Sequence, residues 1–158
     1  MLKELAAKLD QWFVEEAREA VRESMASPRP CTIRVHGQMA LLERELKLNL
    51  VATHDVDVSE NLSGRARREF ERLLAKRGLV LDPVGHEAWM PKETEYETFF
   101  SGKFVTLKVA DEECVLLSKA AKAPQKNSAL LTEYLASGPS ERFLTLAAKY
   151  DVDLEQFV

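Results

Sequence analysis

Cysteine is nearly absent from this chain. Cys31 and Cys114 stand far apart, each beside apolar or β-branched residues, and no CxxC pair occurs. That spacing supports neither a zinc site nor a disulfide framework, and it reads as two buried free thiols in a reducing cytoplasm. Long apolar runs are missing as well. No uncharged stretch approaches the ~20 residues of a membrane helix, and the opening MLKELAAKLDQWF mixes acids into its apolar positions, unlike a secretory leader. No Walker-type glycine run, Ser-His-Asp order or Cys-His order stands out. Nor is charge of one sign in large excess: 30% of residues are charged and the formal net charge is −4. This balance excludes a sequence-blind nucleic-acid coat, which needs a broad basic surface, and it is too mild for a disordered acidic tail. Internal repeats and low-complexity segments are absent.

What is present suffices for one core. With 158 residues, 46% of them apolar, a single domain over 1–158 is expected. Leu2, Leu5, Leu9, Trp12, Phe13, Ala17, Ala20 and Val21 recur at helical spacing, so residues 2–25 form an amphipathic helix that Ser27-Pro28-Arg29-Pro30 stops. CTIRV (31–35) reads as a strand, His36-Gly37 punctuates it, and QMALLERELK reads as a helix. Residues 51–58 form the next strand, Ser63 to Arg77 a helix ended by Gly78, and LVLD a brief strand. Pro83 to Thr98 reads as a loop crossing one face. FVTLKVA (104–110) is a strand, and helices follow at 111–122, 125–137 and 140–150, with a last turn near Leu154. The expected architecture is α/β (α+β). An N-terminal helix (1–28) precedes a core with a small mixed sheet flanked by helices (31–110), and a helical segment (111–158) closes the chain.

The chemistry concentrates in VATHDVDV. Side chains alternate along a strand, so Thr53, Asp55 and Asp57 share one face while His54, Val56 and Val58 share the other. Two carboxylates on one face sit roughly 6.6–6.8 Å apart at the Cα level, a separation from which both can reach one divalent cation. Oxygen-only ligands favour magnesium or manganese over zinc. The plain alternative is that both acids merely mark a strand end, and DxD alone does not choose between the two. Upstream context bears on that choice. A strand, a glycine that lets the backbone approach a phosphate, and a helix with free N–H groups all precede the acid pair.

Gly37, the helix after it and Thr53-x-Asp55-x-Asp57 together resemble the signature of the DNA polymerase beta-like nucleotidyltransferases. The likeness is nearest to small bacterial members of abortive-infection and toxin–antitoxin systems, and it spans about residues 31 to 135. It implies a mixed-sheet nucleotidyltransferase fold, magnesium or manganese held by Asp55 and Asp57 as catalytic carboxylates, and a bound nucleoside triphosphate. Gly37, Gln38, Thr53, Lys108 and Lys119 are the implied nucleotide-binding positions, with Ser118-Lys119 similar to the family's helical segment. The acceptor would be a protein, an RNA or a small molecule, and the chain could act within a toxin–antitoxin pair or as a homodimer. Two departures bear on activity. Gln38 replaces the second small residue of the glycine turn. The strand 104–110, expected to carry the third carboxylate, offers Thr106 and Lys108 instead. A lysine there would neutralise the aspartates and displace the metal, leaving a catalytically silent binding protein as the alternative.

Other charged positions carry two readings each. Arg65, Arg68, Arg72 and Lys76 make a basic stripe that is either a solvated helix face or a contact for triphosphate or RNA, and Lys119, Lys122 and Lys126 divide the same way. Asp111 and Glu113 fall at a helix start, where acids favour the dipole. His54 is expected as a packed core histidine. His36 is read either as a phosphate contact or as a strand-end cap, and His86 with Trp89 and Met90 as a possible lid.

Overall fold

The computed structural model describes residues 1–60, 62 and 64–158. Five strands, among the described residues, form one mixed sheet: β1 (Cys31–His36), β2 (Asp55–Val58), β3 (Val80–Leu81), β4 (Tyr96–Ser101) and β5 (Val105–Ala110), in the order β3-β2-β1-β5-β4. β1 runs parallel to β5 and β2 parallel to β3, whereas β1–β2 and β4–β5 are antiparallel. Helices α1 (Leu2–Arg22), α2 (Gly37–Leu42), α3 (Gly64–Ala75), α4 (Glu112–Lys122), α5 (Ser128–Ala136) and α6 (Glu141–Lys149) surround it. The α/β architecture is as expected.

The core follows from alternation. Ile33 and Val35 of β1, Val56 and Val58 of β2, and Val105, Leu107 and Val109 of β5 are all buried, and they join the apolar stripe Leu2, Leu5, Leu9 and Phe13 of α1. Helix α4 is buried along Cys114, Val115, Leu116, Leu117 and Ala120. Asp111 caps its first turn by accepting the Cys114 N–H at 2.9 Å, as its position at a helix start suggested. Arg142 of α6 then pairs with both Asp111 (2.9 Å) and Glu113 (2.8 Å), so these acids are spent on structure.

Several boundaries differ from the sequence reading. Strand β2 starts only at Asp55, so Thr53 and His54 lie outside it. Thr53 Oγ1 instead accepts the Asp55 N–H at 3.2 Å, a side-chain turn that competes with strand pairing. His54 is exposed, with Nδ1 3.3 Å from the Gly78 carbonyl, which corrects the expected core histidine. The buried histidine is His36, at 2% exposure. Helix α2 stops at Leu42 rather than Lys47. Just beyond its end, Arg44 turns back to donate to the carbonyls of Ala110 and Val109, both at 3.1 Å. Strand β4 lies partly inside the expected loop. It is an edge strand whose register shifts between Thr98 and Phe100, and that irregularity erases the period-2 signal. The expected helix start at Ser63 falls outside the described residues.

The far side of the sheet is locked by Asp10 of α1. Its carboxylate accepts the backbone N–H groups of Phe104 (2.7 Å), Val105 (2.9 Å) and Lys103 (3.2 Å) at the β4–β5 turn. A Cβ on Gly102 would overlap that carboxylate, so the turn's glycine is what lets it approach.

Candidate functional site: a carboxylate cluster facing lysines

Antiparallel register places Asp57 opposite His36, at the point where β1 gives way to α2. Gly37 sits there with φ +67°, a left-handed conformation that favours glycine. A Cβ at Gly37 would overlap Asp57 Oδ2 and stand 3.3 Å from its Cγ. The carboxylate of Asp57 thus rests directly on the glycine turn, and both features of the turn require glycine.

A second backbone segment closes on Asp57 from the other side. After β3, Asp82 donates its N–H to the Val56 carbonyl at 3.0 Å and accepts the Val84 N–H on Oδ1 at 2.9 Å. The following turn brings Gly85 so near that a Cβ would lie 3.0 Å from the Asp57 Cα and 3.2 Å from the Val58 nitrogen. Burial holds the His36 imidazole below its usual range, opposed by hydrogen bonds with the backbone of Val58 and Gly85. His36 therefore ties β2 to this loop as a buried, neutral ring, and a phosphate contact through it is not what the burial supports.

The result is a third acid. Parallel register carries Asp82 alongside Asp57, so two carboxyls lie close together. Burial, the adjoining Asp82 carboxyl and the charge of Asp55 push Asp57 up from 3.8 to about 6, with Lys119 opposing. The strand expected to carry a third carboxylate, 104–110, has none, and the acid beside Asp57 is Asp82, just past the end of β3. Its only linear trace was an acid closing the brief strand LVLD, which is an ordinary strand ending. Parallel pairing of β3 with β2 is what carries it to Asp57.

Lys108 does not neutralise the aspartate pair. It pairs in register with Arg34 and Thr98, and among the described residues no ion pair joins it to Asp55 or Asp57. The cation whose charge acts on Asp57 is Lys119. Burial and the neighbouring Lys126 press the Lys119 ammonium below its usual range, Asp57 opposes this, and Asn127 Oδ1 accepts from Lys119 Nζ at 3.4 Å. A depression of about 220 Å³ is lined by His36, Gly37, Asp57 and Met90 together with Lys119, Lys122 and Lys126. Acid and base thus line one small cavity. The loop with Trp89 and Met90 is fastened to α4: Ser118 Oγ donates to the Trp89 carbonyl at 2.6 Å and the Lys122 ammonium stacks on the Trp89 ring.

Gln38, the departure in the turn, has a local task. Its Nε2 donates to the Val51 carbonyl at 2.8 Å, holding the segment before β2 against the turn. The basic stripe of α3 is partly spent on ion pairs, Arg65 with Glu16 at 2.7 Å and Arg72 with Glu69, which agrees with a solvated helix face. A larger depression of about 690 Å³ lies elsewhere, between α1, residues 25–31 and the start of α3, but it contains no carboxylate pressed against another. Volume alone does not mark chemistry.

A divalent metal suits the donors present at the Asp57 site. Asp55, Asp57 and Asp82 offer only oxygen, as magnesium and manganese prefer, and the Asp57–Asp82 pair is a like-charge contact that a cation would relieve. Among the described residues no three His, Cys, Asp or Glu side chains already converge on one metal-sized gap, so water or substrate oxygens would complete the shell. Comparison of the chain with protein-family models, curated proteins and solved structures finds no match in any of the three.

Proposed function

We propose that the chain is a nucleotidyltransferase-like protein that binds a nucleoside triphosphate with magnesium or manganese and transfers its nucleotidyl group to an acceptor hydroxyl. One observation carries the reading: the Asp57 carboxylate lies on the Gly37 turn, with Asp82 beside it and Lys119 lining the same cavity. A simple strand end leaves its acids in solvent. Here one is drawn into contact with another acid, a cost that a protein keeps where a cation or proton must be handled.

In this reading Asp55 and Asp57 hold the metal, which supplies charge against the developing leaving group when bound. Lys119, Lys122 and Lys126 attract the phosphate oxygens. Helix α2, only six residues long, is a weaker contributor than these three ammonium groups. The acceptor oxygen forms a bond to the α-phosphorus, the bond to the bridging oxygen breaks, and pyrophosphate leaves with that electron pair. Asp82, beside Asp57, takes the acceptor's proton. Thr53 orders the backbone entering β2 and Gln38 the segment before it, so both act by positioning.

The silent alternative, a nucleotidyltransferase fold that only binds a partner, rested on the missing third acid of strand 104–110 and on Lys108 cancelling the aspartates. That strand carries no acid, and the ion pair is not formed among the described residues. A protein or RNA acceptor, a homodimer and a toxin–antitoxin partner all remain compatible with this reading, as does a reducing cytoplasm for two unpaired thiols. Among the described residues no helix is long and apolar enough to cross a membrane.

Calorimetric titration with ATP, GTP, CTP and UTP, each with and without magnesium or manganese, tests the proposal. Metal-dependent binding that Asp55→Asn and Asp57→Asn both abolish is expected. Absence of any metal-dependent binding in the wild type rejects it.

A further inference from the structure

The lysines that line the Asp57 cavity are held in different ways. Lys119 is half-buried, and Asn127 Oδ1 accepts from its Nζ at 3.4 Å. Lys122 stands exposed in the last turn of α4, and its ammonium lies over the Trp89 ring, 5.3 Å from the centroid. A solvated lysine samples many rotamers, and an aromatic face narrows that range by attracting the cation. Among the described residues, Ala88 and Met90 line the cavity but Trp89 between them does not. The indole thus meets the cation from outside the cavity.

We infer that Trp89 is a positioning residue: its ring sets where the Lys122 ammonium stands, and the end of α6 sets the ring. The inference rests on the triphosphate reading above, in which Lys122 attracts phosphate oxygens. Trp89 is itself held at two points. Its carbonyl accepts from Ser118 Oγ of α4 at 2.6 Å. Tyr150, just past α6, packs edge-on against its ring, with centroids 5.3 Å apart and planes at 78°. Tyr150 is fixed in turn, because its hydroxyl donates to the Glu93 carboxylate, which also pairs with Lys149 at 3.2 Å. Arg142 of α6 donates to the Glu93 carbonyl at 3.0 Å. Glu93 lies four residues beyond Trp89, so the loop and α6 close a ring of contacts behind the cavity. Among the described residues none of α6 lines the cavity, yet Tyr150 holds Trp89 and Trp89 holds Lys122. Because Lys119 and Lys126 remain when the ring is lost, the effect on phosphate binding is partial rather than complete.

The first measurement needs no ligand. Trp12→Phe leaves Trp89 as the sole tryptophan of the full chain. Adding Lys122→Met, which removes the charge and keeps an unbranched stem, should then shift the Trp89 emission, and an unchanged spectrum overturns the inference. The second measurement is calorimetry with magnesium and inorganic tripolyphosphate. Trp89→Leu is expected to weaken binding about threefold to fivefold, and Trp89→Phe, which keeps a ring, by no more than about twofold. In the Lys122→Met background Trp89→Leu should cost nothing further, because the two changes remove one interaction. Equal losses with and without the Lys122 charge would mean that Trp89 only holds the loop, and they overturn the inference, as does full affinity in Trp89→Leu. Tyr150→Leu, expected to weaken binding about twofold, carries the same cycle from α6 should Trp89→Leu fail to fold. If the emission shifts but tripolyphosphate does not bind the wild type, the triphosphate reading fails and the positioning role falls with it, leaving only the Trp89–Lys122 contact.

Discussion

Two aspartates at opposite ends of the sheet show how differently one side chain can be used. Asp10 is drawn toward the β4–β5 turn, and burial alone would raise its pKa. Three backbone N–H donors and the charge of Lys103 outweigh that and hold it below 3.8. Asp57 is also drawn inward, but what meets it is another carboxyl, and it rises to about 6. The first carboxylate is satisfied by the fold. The second is left wanting a cation or a proton, and that difference, more than cavity size or local sequence, separates a structural acid from a candidate for chemistry.

The largest expected effect breaks the comparison on function. Asp57→Asn should lower metal-dependent triphosphate binding or turnover by about 100-fold, the scale seen when a group placed for developing charge is lost, whereas Asp10→Asn should leave both within about twofold. Parallel calorimetry and single-turnover assays read this out. Comparable losses in the two variants would mean that Asp57 acts only through the fold.

Stability should show the reverse order. Asp10→Ala removes the acceptor of three backbone donors and should cost about 1–3 kcal/mol in urea unfolding, while Asp57→Asn relieves a like-charge contact and should stabilise or be neutral near pH 7. The pH signatures also oppose. The Asp10 pKa is lowered on folding, so its contribution is present above 3.8 and is lost as pH falls through the lower folded value. The Asp57 pKa is raised, so its contribution is fully present below 3.8 and is lost as pH rises through about 6. The stability difference between wild type and Asp57→Asn should therefore shift against the wild type between pH 4 and 6.

A subtler probe is Gly37→Ala. The left-handed backbone alone costs roughly 1–2 kcal/mol with a Cβ, and overlap with Asp57 adds to it. Gly78→Ala shares the positive φ but has nothing within 4 Å of its Cβ, so the excess of the first over the second measures the Gly37–Asp57 contact. Equal costs would show that the carboxylate moves aside freely. The smallest effect is expected from Lys108→Asp, which should change magnesium affinity by no more than about twofold, because a half-buried charge with no ion pair to the site is still partly screened by salt.

The sequence by itself determined the apolar register of this protein. Alternation in CTIRV and FVTLKVA and the leucine spacing of residues 2–13 specify which faces are buried, and water enforces that wherever the chain goes. It also marked Gly37, Asp55 and Asp57, since a turn glycine followed by a DxD strand is local. What linear pattern could not supply was partnership. Asp82 comes beside Asp57 because β3 pairs parallel to β2, and Lys119 lines the same cavity because α4 packs beside α2. Lys108, which parity alone set facing the aspartates, shares its register with Arg34 and Thr98 instead. A histidine's burial was likewise decided by topology: His36 is enclosed by β2 and the Gly85 turn, while His54 lies just before β2 in solvent. Face and period are properties of a segment, but the electrostatics of a site depends on which charges come within a few ångströms, and only chain-distant packing sets those distances.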